Sequence, residues 1–421
     1  MKLFTDLEIH SKYSRAVSRD MTLENIEEWS RIKGINVVGT GDFTHPAWFK
    51  DIKEKLESAE PGLYHLKKSW RKSDRGQTPW FLLSGEISCI YSKGGKVRKV
   101  HHLVFVPDIS TAEKVINKLS LIGNIASDGR PILGLDSKRL LSLLLDASPD
   151  AVLIPAHVWT PWFGVFGSKS GFDSLEECFE ELTLHIPGVE TGLSSDPAMN
   201  WRLSWLDSKA IVSFSDPHSL HRLGREATVF EVEPSYFEIM KAIKAKDPKR
   251  LLFTVEYFPE GGKYHFDGHR LCRAPMSPQE TKERKGICRV CGRSVTIGVM
   301  NRVEELADRP SGFQLDGAIP FKSLFPLDEV IAVSIGLVSS SSKKVKAEYD
   351  QLINAMGTEY SVLLDAPREE LLKVTSSAVT EGIIAVREGR IAVDPGYDGE
   401  YGKLSIAMTL SRQPVNQESL F

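Results

Sequence analysis

Glu8 and His10, in DLEIHSKYS, stand two residues apart, a spacing that puts both side chains on one face of an extended strand and lets them address one metal ion. Further imidazoles and carboxylates recur along the first half of the chain: Asp42 and His45 in GTGDFTHP, Glu86 in SGEIS, His102 in KVHHLVF, His157 in IPAHVW, and Asp216 with His218 in SFSDPHS. Such a donor set suits divalent ions (Zn2+, Mg2+ or Mn2+) without choosing among them. Gathered around such ions, these side chains would lower the pKa of a bound water and offset charge on a phosphate in displacement, so phosphoester hydrolysis is the expected chemistry. Glu8, His10 and Asp216 are the expected catalytic core. Asp196, in GLSSDPAMN, has two readings: a carboxylate near the scissile phosphate, as ligand or general acid/base, or the cap of a helix that starts at Pro197. Glu190 is a ligand or a polar strand end.

A second group lies downstream. His269 and Cys272, then Cys288 and Cys291 followed by Gly292, supply four nitrogen and sulfur donors from two short loops, the pattern of a closed structural zinc site. His265 competes with His269 for the fourth position. A third feature is the segment HVWTPWFGVFGSKSGFDS, which interleaves Trp159, Trp162, Phe163 and Phe166 with glycines and Lys169. Aromatic and basic side chains in one loop suit stacking on unpaired bases and contact with phosphates; the competing reading is an apolar lid packed on the fold. KKSWRKSDRG and SKGGKVRKVHH read as basic loops near the same face, or as solvated surface.

The elements that must position these residues are short β-rich runs (KLFTDLEIH, INVVGTGDF, WFLLSGEISCIY, KVHHLVFVP, AVLIPAHV, IPGVETG, AIVSFSDPH) separated by helical patterns such as LENIEEWSRIKG and STAEKVINKLSLIG. Nearly apolar strands alternating with helices predict parallel βαβ units. Seven strand ends bearing candidate ligands predict a (β/α) barrel with those ends on one face. This unit is expected to span residues 1–258, closed by PSYFEIMKAIKA and RLLFTVEYF. A zinc-binding unit follows at 259–310, and a mainly helical one at 311–421 with a terminal hairpin in IIAVREGRIAV and a flexible tail. In that tail Gln417, Leu420 and Phe421 suggest a sliding-clamp motif cut short, or a frayed end.

The chain has 421 residues, 41% of them hydrophobic, with 53 Lys and Arg against 56 Asp and Glu, so recruitment of a partner by bulk positive charge is not expected, while local basic patches remain open. No apolar run is long enough to span a bilayer and the N-terminus lacks a signal peptide's apolar stretch. With five cysteines unevenly spread, no disulfide framework is expected and the protein reads as cytoplasmic, without a membrane partner.

The ordered series from DLEIHSKYS through GTGDFTHP, SGEIS and IPAHVW to SFSDPHS resembles the polymerase and histidinol phosphatase (PHP) superfamily over residues 1–258. That resemblance implies an α/β fold, a distorted (β/α)7 PHP barrel holding divalent metal. Two departures stand out: Glu8 replaces a usual histidine, and Arg15 stands where an Asp ligand is common, which implies altered metal occupancy. With YHFDGHRLC and GICRVCGRSVTIGVMNRVEELADR added, the whole chain resembles the archaeal-type endonuclease Q family and its bacterial relatives. This implies a DNA repair endonuclease that nicks damaged DNA on the 5′ side of deaminated bases (uracil, hypoxanthine, xanthine) or abasic sites, with the helical unit clasping the duplex. Two alternatives stand beside it: a PHP-type small-molecule phosphatase, and a non-catalytic DNA-binding accessory protein.

Overall fold

The structure, a computed structural model, describes residues 1–73 and 76–406; the tail residues Gln417, Leu420 and Phe421 lie outside the described residues. Helices form where apolar residues recur at helical spacing behind a capping side chain. Thr22 accepts a hydrogen bond from the Asn25 amide at the start of Leu23–Lys33, and Gly34 closes that helix at φ +87°. Asp108 and Asp136 likewise cap Ile109–Ser120 and Ser137–Ala147. Among the described residues, no helix is long and apolar enough to cross a membrane.

The fold is α/β, but the sheets are mixed, and among the described residues they do not pair into the closed parallel barrel that the alternating pattern predicts. Strand Lys2–Asp6 pairs in parallel with Val37–Gly39, which pairs in parallel with Trp80–Leu82. On its other edge Lys2–Asp6 runs antiparallel to Ala227–Glu231, and that strand is antiparallel to Leu251–Tyr257. A second sheet is built on an antiparallel hairpin, Ser84–Lys93 with Lys96–Phe105, flanked by Ile132–Leu133 and Val152–Pro155. The physical reason lies in Gly94 and Gly95, both at positive φ (61° and 73°). Two such residues form the tight turn whose twist matches paired antiparallel strands, so the stretch read as a basic loop is a hairpin turn. A parallel pair, Gly188–Glu190 with Ala210–Val212, completes the ligand-bearing set.

The later elements are fastened to this core. Strand Phe321–Leu324 adds in parallel to Leu251–Tyr257. The segment IIAVR continues the helix Ser377–Arg387; the terminal hairpin instead pairs Ile391–Asp394 with Lys403–Ile406. Its position in the sequence, directly behind a run with helical spacing, hid that boundary. Helices Leu327–Ser334 and Lys343–Met356 flank a buried junction with the N-terminal part: Lys33 Nζ lies 2.6 Å from Glu359 Oε2, the Tyr349 hydroxyl donates to the same oxygen at 2.6 Å, and the Leu327 amide donates to Glu359 Oε1 at 3.1 Å. Tyr360 stacks on Phe4, ring centres 4.7 Å apart. Removing one partner of a buried, fully bonded ion pair strands the other. Glu359→Ala is therefore expected to cost about 3–5 kcal/mol in denaturant unfolding; a loss under about 1 kcal/mol would show that the junction contributes little.

Candidate active site

The site assembles where strands end. Asp42, His157 and Asp216 all adopt positive φ (64°, 29° and 41°), a conformation that costs energy for non-glycine residues and clusters at functional sites. Each sits just beyond a strand, where the chain turns sharply and aims its side chain into the enclosed space. Gly41, at φ +63°, precedes Asp42; a Cβ there would meet the Ile9 carbonyl oxygen at 2.5 Å, so only glycine lets the two strand ends approach this closely.

Glu86 is the hub. Its Oε1 lies 2.6 Å from His101 Nδ1 and 3.2 Å from His157 Nε2, while Oε2 lies 3.3 Å from His10 Nε2 and 2.9 Å from Arg130. His10 Nε2 also meets Asp216 Oδ1 at 2.9 Å, and His218 follows at 3.6 Å from the same oxygen. Two sets of donor atoms, Glu86 with His101 and His157, and His10 with Asp216 and His218, each lie within 4.8 Å of one another, close enough to share an ion. Asp42 sits behind His10: one oxygen lies 3.3 Å from its Nδ1, the other accepts from Ser11 and Ser14. It fixes the imidazole that faces the site. Glu8 is buried with both carboxyl oxygens unpartnered, and Glu190 Oε1 is unpartnered too, although its other oxygen accepts from the His157 amide.

These charges press on one another. Burial, then the carboxyls of Glu190, Asp216 and Glu86, push Glu8 well above the ordinary carboxylate range, and burial raises Glu190 to about 7. Burial would raise Glu86 as well, yet Arg130 and the surrounding imidazoles hold it well below normal. His10 goes up despite burial, through Asp216, Asp42 and Glu86. Burial lowers His101 to about 4, leaving a neutral ring able to donate a lone pair.

Three sequence expectations need revision. His101, not His102, joins Glu86 and His157. Successive side chains of Lys96–Phe105 point to opposite faces, and His102 is turned into the core, its Nε2 2.8 Å from Ser137 Oγ. The doublet in KVHHLVF carries the signal, and strand parity assigns it to His101. His45 precedes helix Pro46–Lys55; its ring stacks on Tyr13 and its Nε2 lies 3.2 Å from the Ala126 carbonyl, outside both donor sets. Trp159 and Phe166 are core residues: Trp159 donates to Asn200 Oδ1, and their rings pack 5.0 Å apart. That part of the aromatic segment is the apolar lid, so neither ring is available to a base. Trp162, 37% exposed, and exposed Lys169 remain accessible. Asp196 caps Pro197–Asn200, accepting from the Met199 amide at 2.8 Å; burial raises its carboxyl to about 6.

Above the cluster opens a cavity of about 1210 Å³. Its floor includes His101, His157, Glu190, Asp216 and His218; its walls include Arg130, Trp162, Phe163, Arg225, Tyr264 and Tyr401. The residues from Arg130 onward, Trp162 and Phe163 apart, were not singled out in the sequence, because lone Arg and Tyr residues in loops carry no spacing signal. In the downstream group, the donor atoms of His269, Cys272, Cys288 and Cys291 all lie within 4.8 Å. Amides of Cys291 and Val290 lower the Cys288 thiol to about 6, favouring thiolate. His265, stacked on Phe266, is not among them.

Fold and site together define an α/β enzyme with buried imidazole and carboxylate donor sets beneath a basic and aromatic cavity. A crystal structure of the lesion-specific endonuclease PfuEndoQ from Pyrococcus furiosus matches with TM-score 0.84 and 31% identity, covering 96% of each chain. A crystal structure of endonuclease Q in complex with a 27-mer duplex substrate, an abasic lesion at its active site, matches with TM-score 0.86 and 31% identity over 100% of both chains. Protein YqxK of Bacillus subtilis (strain 168) is 29% identical over 423 residues, 96% of this chain and 99% of its own. The family described as the MJ0043 C-terminal domain matches residues 326–390. The chain belongs to the endonuclease Q family: it is a DNA repair endonuclease, and so a hydrolase.

Two measurements check the site. Trp159→Ala is expected to lower stability by about 3–5 kcal/mol through a core cavity, whereas Trp162→Ala leaves unfolding within about 1 kcal/mol of native. Equal effects would contradict the division between lid core and exposed ring. For Glu190, the folded carboxyl titrates near 7 and an unfolded one near 4.3, so the native fold keeps a proton that the unfolded chain has lost. Its contribution to stability therefore declines as pH rises through that window. In chelator, Glu190→Gln should gain on the native chain by roughly 2–4 kcal/mol between pH 5 and 8. Saturating Mn2+ should reverse the order; a pH-independent difference would sink this reading.

Proposed function

We propose that the enzyme hydrolyses the phosphodiester on the 5′ side of a damaged nucleotide, a deaminated base (uracil, hypoxanthine or xanthine) or an abasic site, with the help of divalent metal. The observation that carries the reading is the pair of adjacent donor sets, linked by Glu86 Oε2 lying 3.3 Å from His10 Nε2, beneath a cavity large enough for a nucleotide and walled by Arg and aromatic side chains. Similarity to an endonuclease Q solved with an abasic duplex supports the substrate class.

The donor set fits a cation: Glu8 and Glu190 present three buried, unpartnered carboxyl oxygens, a costly arrangement unless protons or metal ions compensate them. His10, Asp216 and His218, and Glu86 with His101 and His157, would hold Zn2+, Mg2+ or Mn2+. Such ions lower the pKa of water and offset charge at phosphorus. Asp42 orients His10, and Thr160 Oγ1, 2.9 Å from His157 Nδ1, sets that ring's tautomer. Arg130 and Arg225 border the space where a phosphate would lie. Trp162 offers its face to an unstacked base and Lys169 a charge to the backbone. Asp196, by capping its helix, fixes the segment that carries Glu190 and Gly192. Zn2+ in the Cys and His group is read as structural. The three-unit division at 258 and 310, and the mixed sheets as an opened PHP-type barrel, complete the proposal; five free cysteines suit the cytoplasm.

A labelled duplex bearing one uracil or one abasic site, with Mg2+ or Mn2+ supplied, should be nicked on the 5′ side of the lesion, while an undamaged duplex stays intact. Asp216→Ala is expected to reduce nicking at least about a hundredfold and leave binding of damaged DNA measurable. Unaltered cleavage by this variant after chelation and metal return would refute the cluster's role. Turnover of a small phosphate monoester without nicking would favour the phosphatase instead.

A further inference from the structure

The two ligand loops of the Cys and His group share a pattern: His269-Arg270-Leu271-Cys272 and Cys288-Arg289-Val290-Cys291, each an arginine and an aliphatic residue held between two donors. Their donor atoms converge within 4.8 Å, so both loop tips are pinned at one end of a compact module. Each aliphatic side chain points into solvent, Leu271 84% exposed and Val290 64% exposed. Large aliphatic groups so exposed, at tips stiffened by donor convergence, contribute nothing to packing. The module that carries them is basic in sequence, with seven Lys or Arg and two Glu from His269 to Arg293, and Asp398 and Glu400 reach its tip at Arg270. The chain as a whole is slightly acidic at −3, which makes this a local concentration of positive charge.

The position of the tip matters as much. Arg270 Nε lies 2.6 Å from Glu400 Oε1, and the Arg270 amide donates to Asp398 at 2.7 Å. Gly399 and Glu400 line the cavity above the active site, as do Lys263 and Tyr264 from the start of the same module. Leu271 is therefore tethered, through Arg270, to the segment that lines the cavity.

We infer that Leu271, seconded by Val290, is an aliphatic wedge that enters the DNA base stack beside the damaged nucleotide, with the basic residues of the module around it facing the phosphates. Small aliphatic side chains on a basic scaffold unstack a base step and bend the duplex, and the unstacking they provide lowers the cost of extruding a nucleotide. Charge complementarity selects nucleic acid as the occupant, and the tether to the cavity-lining segment selects the step next to the lesion. This inference rests on the endonuclease reading and adds to it a residue that acts on the helix, away from the bond that breaks.

The test uses the full-length protein with Leu271→Ala and Val290→Ala combined. Both residues are exposed, so zinc content and melting temperature should match the native chain. Nicking at a uracil within a fully paired duplex should fall about tenfold or more, whereas nicking at a uracil inside a three-nucleotide mismatch bubble, already unstacked, should stay near native. In parallel, 2-aminopurine placed beside an abasic site should brighten when native protein binds and respond weakly to the variant. An equal loss on paired and bubble substrates would overturn the wedge in favour of a general contact, and no loss on either would overturn it outright. If the native protein nicks neither substrate but brightens 2-aminopurine in a Leu271-dependent way, the wedge stands and the endonuclease reading falls.

Discussion

Five carboxyl groups are gathered in one place, those of Glu8, Asp42, Glu86 and Glu190 buried and that of Asp216 half-buried at the cavity floor. Buried like charges repel strongly in a low-dielectric interior, and the arrangement persists only if protons or cations offset them. Within the protein, Arg130 and a charged His10 provide part of that offset, which is why Glu86 and Asp42 stay ionised. Glu8, with both oxygens unpartnered, and Glu190, with one, are left over and their carboxyls are pushed upward. The need of these two for positive charge is the property on which the proposed metal binding, and the proposed route to hydrolysis, depends.

The backbone pays for this concentration in strain, through left-handed conformations at Asp42, His157 and Asp216, and compensates with hydrogen bonds that pin each turn. The His157 amide is held by Glu190, and the Asp216 carbonyl accepts from Arg225 at 3.1 Å. Such over-determined turns keep donors in place before any ion arrives. The mixed sheets serve the same end: the long hairpin carries Glu86, opposite Leu103, on one strand and His101, opposite Ser88, on the other, so the two side chains meet diagonally on one face. Beyond the core, the buried Lys33 and Glu359 junction and the Arg270 contacts with Asp398 and Glu400 draw the later elements around the cavity, so its walls come from regions far apart in sequence.

Much of this was legible in the chain itself. Glu8, His10, Glu86, His157, Asp216 and His218 could be picked out because each follows or lies in an apolar strand run, and the four zinc-type donors because their spacing is so short. The errors have physical causes. A His doublet fixes neither face of its strand, so only the register of Lys96–Phe105 against its partners decides that His101 faces the site. The Gly94–Gly95 turn signals an antiparallel hairpin, but its Lys and Arg flanks give it the composition of a solvated loop. His45 and Asp42 look equivalent in GTGDFTHP, but one starts a helix and the other buttresses His10. Cavity walls such as Arg130, Tyr264 and Tyr401 are brought in by tertiary packing, which no local pattern reports.

The most direct test of the charge argument is calorimetric titration of the metal-stripped, zinc-retaining protein with Mn2+ at pH 7, in buffers of different ionisation enthalpy. The account predicts saturable uptake of at least one ion with release of protons from Glu8 and Glu190, and loss of that uptake in Glu8→Leu. Absence of Mn2+ binding by the folded native protein, or binding that releases no protons and is unaffected by Glu8→Leu, would contradict it.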